Sequence, residues 1–216
     1  ENVTENGGEN TQEKRYFAKV LWGGLLKSRK SAALPGAKIY PPTLTNSDLA
    51  NIKIAKEMGV TGVMQPFVRD HSDLECVKEA LREAGAEDIR LFAKIENMDG
   101  VRKLEKLLPA ADEIVIARGD LGNAVHLWDL PGVQRQISEK CRAAGKPFMV
   151  VTQMLASMER SPVPTRAEVN DIFHAVMDGA ASIMVTGETA VGDYPVEVIR
   201  YMVNTVRSAE KKKIDK

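Results

Sequence analysis

From Thr45 onward, the apolar positions of this chain switch back and forth between two periods. Stretches with an apolar residue every three or four positions predict helices over 46–58, 73–84, 98–108, 131–144, 166–178 and 195–212. Between them lie short runs at 62–64, 90–95, 113–117, 148–152 and 182–185 that are almost continuously apolar and β-prone. Parallel strands covered on both faces carry this signature, because neither face can afford polar positions. The runs start roughly 25 to 35 residues apart, the size of a strand–helix unit. The chain reads as alternating α/β.

Several boundaries are signed. Ser72-Asp73-Leu74-Glu75 and Thr165-Arg166-Ala167-Glu168 read as capping boxes, a hydroxyl and a carboxylate three residues later serving orphan amides. Pro131 and Pro195 suit first turns, and Gly85 and Gly145 suit helix ends. Ahead of Thr45 the text is different. Residues 1–14 are polar without apolar period and predict a flexible segment. A strand is expected over 16–22, followed by a connector through Gly23-Gly24, Ser28-Arg29-Lys30, Leu34-Pro35-Gly36 and Pro41-Pro42.

Composition narrows the function classes. At 216 residues the chain is long enough for one sizeable core. Its 30 basic and 30 acidic side chains balance, so no field draws in nucleic acid or an anionic membrane, and a small molecule is the expected ligand. No apolar run approaches a membrane span and the start lacks a secretion signal, so a cytoplasmic location is expected. Cys76 and Cys141 have neither CxxC nor His-rich spacing and read as idle thiols. Asn2-Val3-Thr4 matches a glycosylation triplet, which matters only in a secreted chain.

The chemistry sits where the strands stop. Lys94 and Glu96 lie two apart at the end of their strand and leave the same face; the plain alternative is a salt bridge filling a barrel. Ala117-Arg118-Gly119-Asp120 follows the next strand, where glycine admits close approach to a ligand, backbone amides could hold a carboxylate, and Asp120 opens a turn. An aspartate helix cap explains that tetrapeptide equally well. Thr152-Gln153 and Thr186-Gly187-Glu188 put a hydroxyl at each of the next two strand ends. One cation, two carboxylates and two hydroxyls, gathered by successive strand–helix units, suit a divalent metal and a phosphorylated small anion.

These stretches, in this order, resemble pyruvate kinase. The likeness runs from about Tyr16 to Glu210 and includes Gly23-Gly24, Ser28-Arg29-Lys30, Leu34-Pro35-Gly36, Ala144-Gly145-Lys146-Pro147, Met154-Leu155-Ala156-Ser157-Met158, Pro164-Thr165-Arg166-Ala167-Glu168 and Tyr194-Pro195-Val196-Glu197. The resemblance implies a TIM (β/α)8 barrel of the phosphoenolpyruvate/pyruvate type. This chain would supply about its last five units over 41–216, preceded over 15–40 by the end of the lid (B) domain and a connector. It implies magnesium- or manganese-dependent phosphoryl transfer between phosphoenolpyruvate and ADP, giving pyruvate and ATP in glycolysis. Lys94 would neutralise the phosphoryl group in transit, and Glu96 and Asp120 would hold the metal. Ala117, Arg118, Gly119, Asp120 and Thr152 would bind phosphoenolpyruvate or pyruvate, and Thr186 matches a serine associated with proton delivery to the enolate.

The chain also departs from that pattern. The expected potassium ligands, the arginine that grips the phosphoryl group and most of the nucleotide site belong to strands absent from these residues. Five parallel strands cannot close a barrel, so the amino-terminal part of the same protein or another copy is expected as partner, in a homo-oligomer. Poor turnover is expected of the 216 residues alone. Ala156 replaces a glutamate, Val191 a lysine, and Asn123-Ala124-Val125 a Val-Glu-Ile type sequence. Two other readings fit the same metal residues: a lyase or aldolase acting on pyruvate enolate, and a catalytically degenerate binding protein.

Overall fold

A computed structural model of the chain describes residues 19–25, 28 and 41–214. The chain divides into two units, Glu1–Ala32 and Ala33–Lys216. In the first, Val20, Leu21, Trp22 and Leu25 are exposed and residues 19–22 form no strand. That corrects the described part of the strand expected over 16–22; the rest falls outside the described residues. A strand persists only where its amides and carbonyls find partners.

In the second unit, five strands form one sheet: β1 Gly62–Gln65, β2 Arg90–Ile95, β3 Glu113–Ala117, β4 Phe148–Val151 and β5 Ser182–Met184. They pair in sequence order, all parallel. Such ordering needs a crossover after each strand, and crossovers of constant hand bring the helices to one face. Residues alternate accordingly. Leu91, Ala93, Ile95, Ile114, Ile116, Phe148 and Val150 pack into the main core with helical side chains such as Leu74, Leu104, Ile137, Ile172 and Val198. Phe92, Val115, Met149, Val151 and Met184 point the other way and form a small second cluster. At the amino-terminal end of the strands the buried Glu113 carboxylate accepts from Arg90 at 3.2 Å and from the Ser182 hydroxyl.

The helices are α1 Asn46–Ala55, α2 His71–Glu83, α3 Met98–Arg102, α4 Leu104–Leu107, α5 Arg118–Ala124, α6 Leu130–Ala143, α7 Arg166–Met177, α8 Gly187–Ala190 and α9 Pro195–Ile214. The Thr165 capping box on α7 is present with both reciprocal bonds. The one expected at Ser72 is not: α2 begins at His71, and Asp70 is the cap, accepting from the Ser72 amide at 3.0 Å. Aspartate caps as well as serine, and Asp73 is thereby left for Arg69 and Thr43. Gly85 and Gly145 end α2 and α6 at φ 63° and 62°. The next amides, Ala86 and Lys146, bond back to Leu81 and Cys141, the Schellman closure that a left-handed residue permits.

The continuous helix expected over 98–108 is broken at Lys103 (φ −98°, ψ 9°) and finishes as a tight turn at Leu108–Ala110. The break keeps Val101, Leu104, Leu107 and Leu108 all buried, so tertiary packing overrides helix continuity. A short helix, α5, occupies the stretch where Asp120 was expected to open a turn. Strand β4 stops at Val151, one residue early, because Thr152 and Gln153 adopt φ 82° and 55°.

Candidate active site

Parallel pairing sets the carboxyl ends of all five strands along one rim: Ile95 aligns with Ile116, Ala117 with Val151, and Val151 with Met184. Every residue singled out for chemistry lies on or just beyond it. Lys94 and Glu96 meet there, Nζ to Oε1 at 2.8 Å, with the Glu96 side chain 2% exposed and Lys94 25%. The second Glu96 oxygen accepts the Phe67 amide at 2.7 Å from the loop after β1. Phe67 itself is left-handed, φ 52°. A carboxylate this buried is tolerable only with both oxygens served, and here a cation and an amide serve them.

The loops after β3 and β4 interlock. Gly119 stands so close to Thr152 that an added Cβ would lie 2.9 Å from the threonine Cγ2. Arg118 does not reach free into the rim. Its Nε and Nη2 donate to the Thr152 carbonyl at 3.2 and 2.7 Å, Nη2 also reaches Met154 Sδ at 2.8 Å, and Nη1 donates to both oxygens of Asp171 at 2.9 and 2.6 Å. Two successive non-glycine residues in left-handed conformations, one of them β-branched, store about 1–3 kcal/mol each. Such strain persists only where neighbours hold it, and the Arg118 fork and the Gly119 contact are those neighbours.

Beyond β4, Glu188 is 2% exposed and tied to two loops at once. One oxygen accepts the Leu155 amide at 3.3 Å; the other accepts the Thr186 amide at 2.8 Å and the Thr186 hydroxyl at 3.5 Å. It makes no ion pair among the described residues. Glu168 likewise knots the segment after β4 to α7, accepting the Ser157 amide and hydroxyl as well as the Thr165 cap. Burial pushes its carboxyl up, but those donors outweigh burial and hold it below the usual glutamate range.

Asp120 is exposed in the first turn of α5 and makes no ion pair among the described residues. No group of three or more His, Cys, Asp or Glu is arranged for a metal among the described residues. The donor set nevertheless suits magnesium, a hard ion commonly held by one or two carboxylates with substrate oxygens and water completing the shell. Glu96 and Asp120 are two carboxylates at this rim, beside the Glu188 carboxylate that the Leu155 and Thr186 amides already engage. A cavity of about 530 Å³ lined by Val163, Arg166, Val169, Phe173 and Tyr201 lies between α7 and α9, away from these groups. Cys141 is buried, its thiol pushed up to about 12 by burial, and Cys76 is exposed; both are free.

Sequence reasoning assigned Arg118 and Glu188's neighbours without Glu188's own role, and it missed Asp171 and Phe67 altogether. Glu188 could have been found as the one acidic residue beside the strand-end threonine. Asp171 carried no local signal, being one more polar position on an amphipathic helix.

A family model for pyruvate kinase, barrel domain, matches residues 6–199. Pyruvate kinase of Bacillus licheniformis is 40% identical over 201 residues, covering 93% of this chain and 34% of that protein. That of Geobacillus stearothermophilus is 42% identical over 183 residues, covering 85% and 31%. That of Candida albicans is 40% identical over 199 residues, covering 92% and 39%. The chain thus spans about a third of the length of these relatives.

Proposed function

This chain belongs to the pyruvate kinase family, and from that membership we propose that it carries the metal and enolpyruvate half of a magnesium-dependent phosphotransferase site. The reaction moves the phosphoryl group of phosphoenolpyruvate to the terminal phosphate oxygen of ADP, and the enolate left behind takes a proton at carbon to give pyruvate beside ATP. The observation that carries this reading is the Lys94–Glu96 pair at the strand-end rim, 2.8 Å apart, with Asp120, Thr152 and Thr186 on neighbouring strand ends. Phosphoryl transfer asks for positioning and compensation of charge more than covalent help.

Lys94 sets its ammonium beside the group in transit. Glu96 and Asp120 would hold magnesium or manganese, which when bound compensates charge on substrate oxygens. Amides from Ala117 to Asp120 and the Thr152 hydroxyl orient the substrate carboxylate; because the Arg118 guanidinium is engaged by Thr152 and Asp171, Arg118 contributes its backbone and its grip on that turn. Thr186 serves the proton step. The five strand–helix units would belong to a barrel of eight, completed by amino-terminal strands of the same protein. Those strands would bring the potassium ligands and nucleotide contacts. Residues 41–216 would then be catalytic barrel and residues 15–40 the lid end and connector. A cytoplasmic location belongs to the same proposal; no helix among the described residues is long and apolar enough to cross a membrane.

Coupled measurement of ATP from phosphoenolpyruvate and ADP tests the reading. The 216-residue chain should turn over poorly, and activity should rise when the amino-terminal strands are supplied. Calorimetry with magnesium and oxalate, an enolate mimic, should give binding without that supplement. No heat at high concentration would remove the support for an enolpyruvate site.

A further inference from the structure

We propose that Asp171, on α7, is a positioning residue for this site: through Arg118 it holds the Thr152–Gln153 turn in its left-handed form and so fixes where the Thr152 hydroxyl stands. The inference rests on the reading that Thr152 faces the substrate. Three observations join to carry it. First, the Arg118 side chain is only 13% exposed, so its charge stays in place because a carboxylate meets it, and Asp171 takes both hydrogen bonds of Nη1 at 2.9 and 2.6 Å. Second, the other edge of the same planar fork is spent on one backbone atom, the Thr152 carbonyl, at 3.2 and 2.7 Å. A guanidinium is rigid, so fixing one edge aims the other. Third, the residue so held is a β-branched one at φ 82°, followed by Gln153 at 55°, a pair that relaxes unless it is gripped.

The threonine side chain is stiff at χ1, as β-branched residues are, and its Cγ2 lies 2.9 Å from where a Cβ on Gly119 would stand. Backbone rotation at Thr152 is therefore the motion that would displace the hydroxyl. Removing the Asp171 charge leaves a mostly covered cation facing a carbonyl and a thioether only, and it should swing toward water, releasing the carbonyl. Lysine at 118 keeps the charge but loses the second edge. The clasp needs both the carboxylate and the fork.

The test uses the 216-residue chain with labelled threonine methyl groups. The Thr152 signal is assigned by Thr152→Ser, and magnesium-dependent oxalate affinity is measured in parallel. Asp171→Asn should move or broaden the Thr152 methyl resonance while those of Thr45 and Thr205 hold, and should weaken oxalate roughly tenfold. Arg118→Lys should do the same, and the double variant should add little to either single one. If Asp171→Asn does not fold, Arg118→Lys and Asp171→Glu carry the comparison, with Asp171→Glu expected to recover part of the methyl position. A stationary Thr152 methyl, or fully additive losses, overturns the proposal. Absence of oxalate binding by the unaltered chain would instead sink the kinase reading, and the methyl comparison would still decide the clasp.

Discussion

The two faces of the sheet carry similar residues and do different work. On the helix-covered face, Ile114, Ile116, Phe148 and Val150 are fully or almost fully buried within the chain. On the other, a cluster of Val115, Met149 and Val151 with Phe92 and Met184 is finished only in part, and Met64 remains 39% exposed. The covered face supplies stability. The face without helices and the rim above it gather charged side chains tied to neighbouring loops: Glu96 to Phe67, Arg118 to Thr152, Glu188 to Leu155. Packing and chemistry are thus divided between opposite sides of the same five strands.

The sharpest test sets two phenylalanines against each other. Phe148→Ala on the covered face should cost about 3–5 kcal/mol of unfolding free energy, whereas Phe92→Ala, partly buried with the Arg90 guanidinium 4.8 Å from its ring, should cost about half as much in urea unfolding. Equal losses would mean the uncovered face is as well packed as the other. At the rim, Lys94→Met should remove phosphoryl transfer, by roughly 10²–10³-fold or more in turnover, with metal affinity nearly kept and the melting temperature lowered, because one oxygen of the buried Glu96 carboxylate loses its partner. Glu96→Gln should weaken metal binding and turnover together; matching losses in metal affinity from both variants would erase the division of roles.

A smaller effect concerns acid stability. Burial pushes the Asp73 carboxyl up, but hydrogen bonds from Arg69 and Thr43 outweigh it and bring its pKa down to about 2. A carboxyl held below its unfolded value of about 3.9 stabilises the fold above that pH and loses this contribution as pH falls toward 2. Unfolding measured from pH 5 to 2 should therefore show a steeper acid decline in the unaltered chain than in Asp73→Asn. The smallest change is a gain. Gly132 lies within α6 with open space around its Cα, so Gly132→Ala should stabilise by about 0.5–1 kcal/mol without touching the rim.

Much of this was readable from residue order. The five strands, the Thr165 box and the Gly85 and Gly145 endings follow from short-range rules, since an apolar run, a cap or a left-handed glycine is decided within a few residues. Rim positions such as Lys94 and Glu96 follow too, because side chains two apart on a strand share a face. The misplaced Ser72 cap and the unbroken helix at Lys103 show where local rules tie: Asp70 and Ser72 cap about equally well, and burial of Leu104 and Leu107 chose the break.

By itself, then, the sequence determined the α/β alternation, the parallel sheet and which chemical groups stand at the strand ends. Tertiary contact decided what those groups hold. Asp171 and Arg118 are 53 residues apart, Arg118 and Thr152 are 34 apart, and Phe67 and Glu96 are 29 apart. No periodicity links positions so separated, because such bonds depend on which loops the parallel register brings side by side. The left-handed Thr152 is the clearest case: no local preference favours it, and the groups set against it, Gly119 and the Arg118 guanidinium, come from a loop more than thirty residues away in the chain.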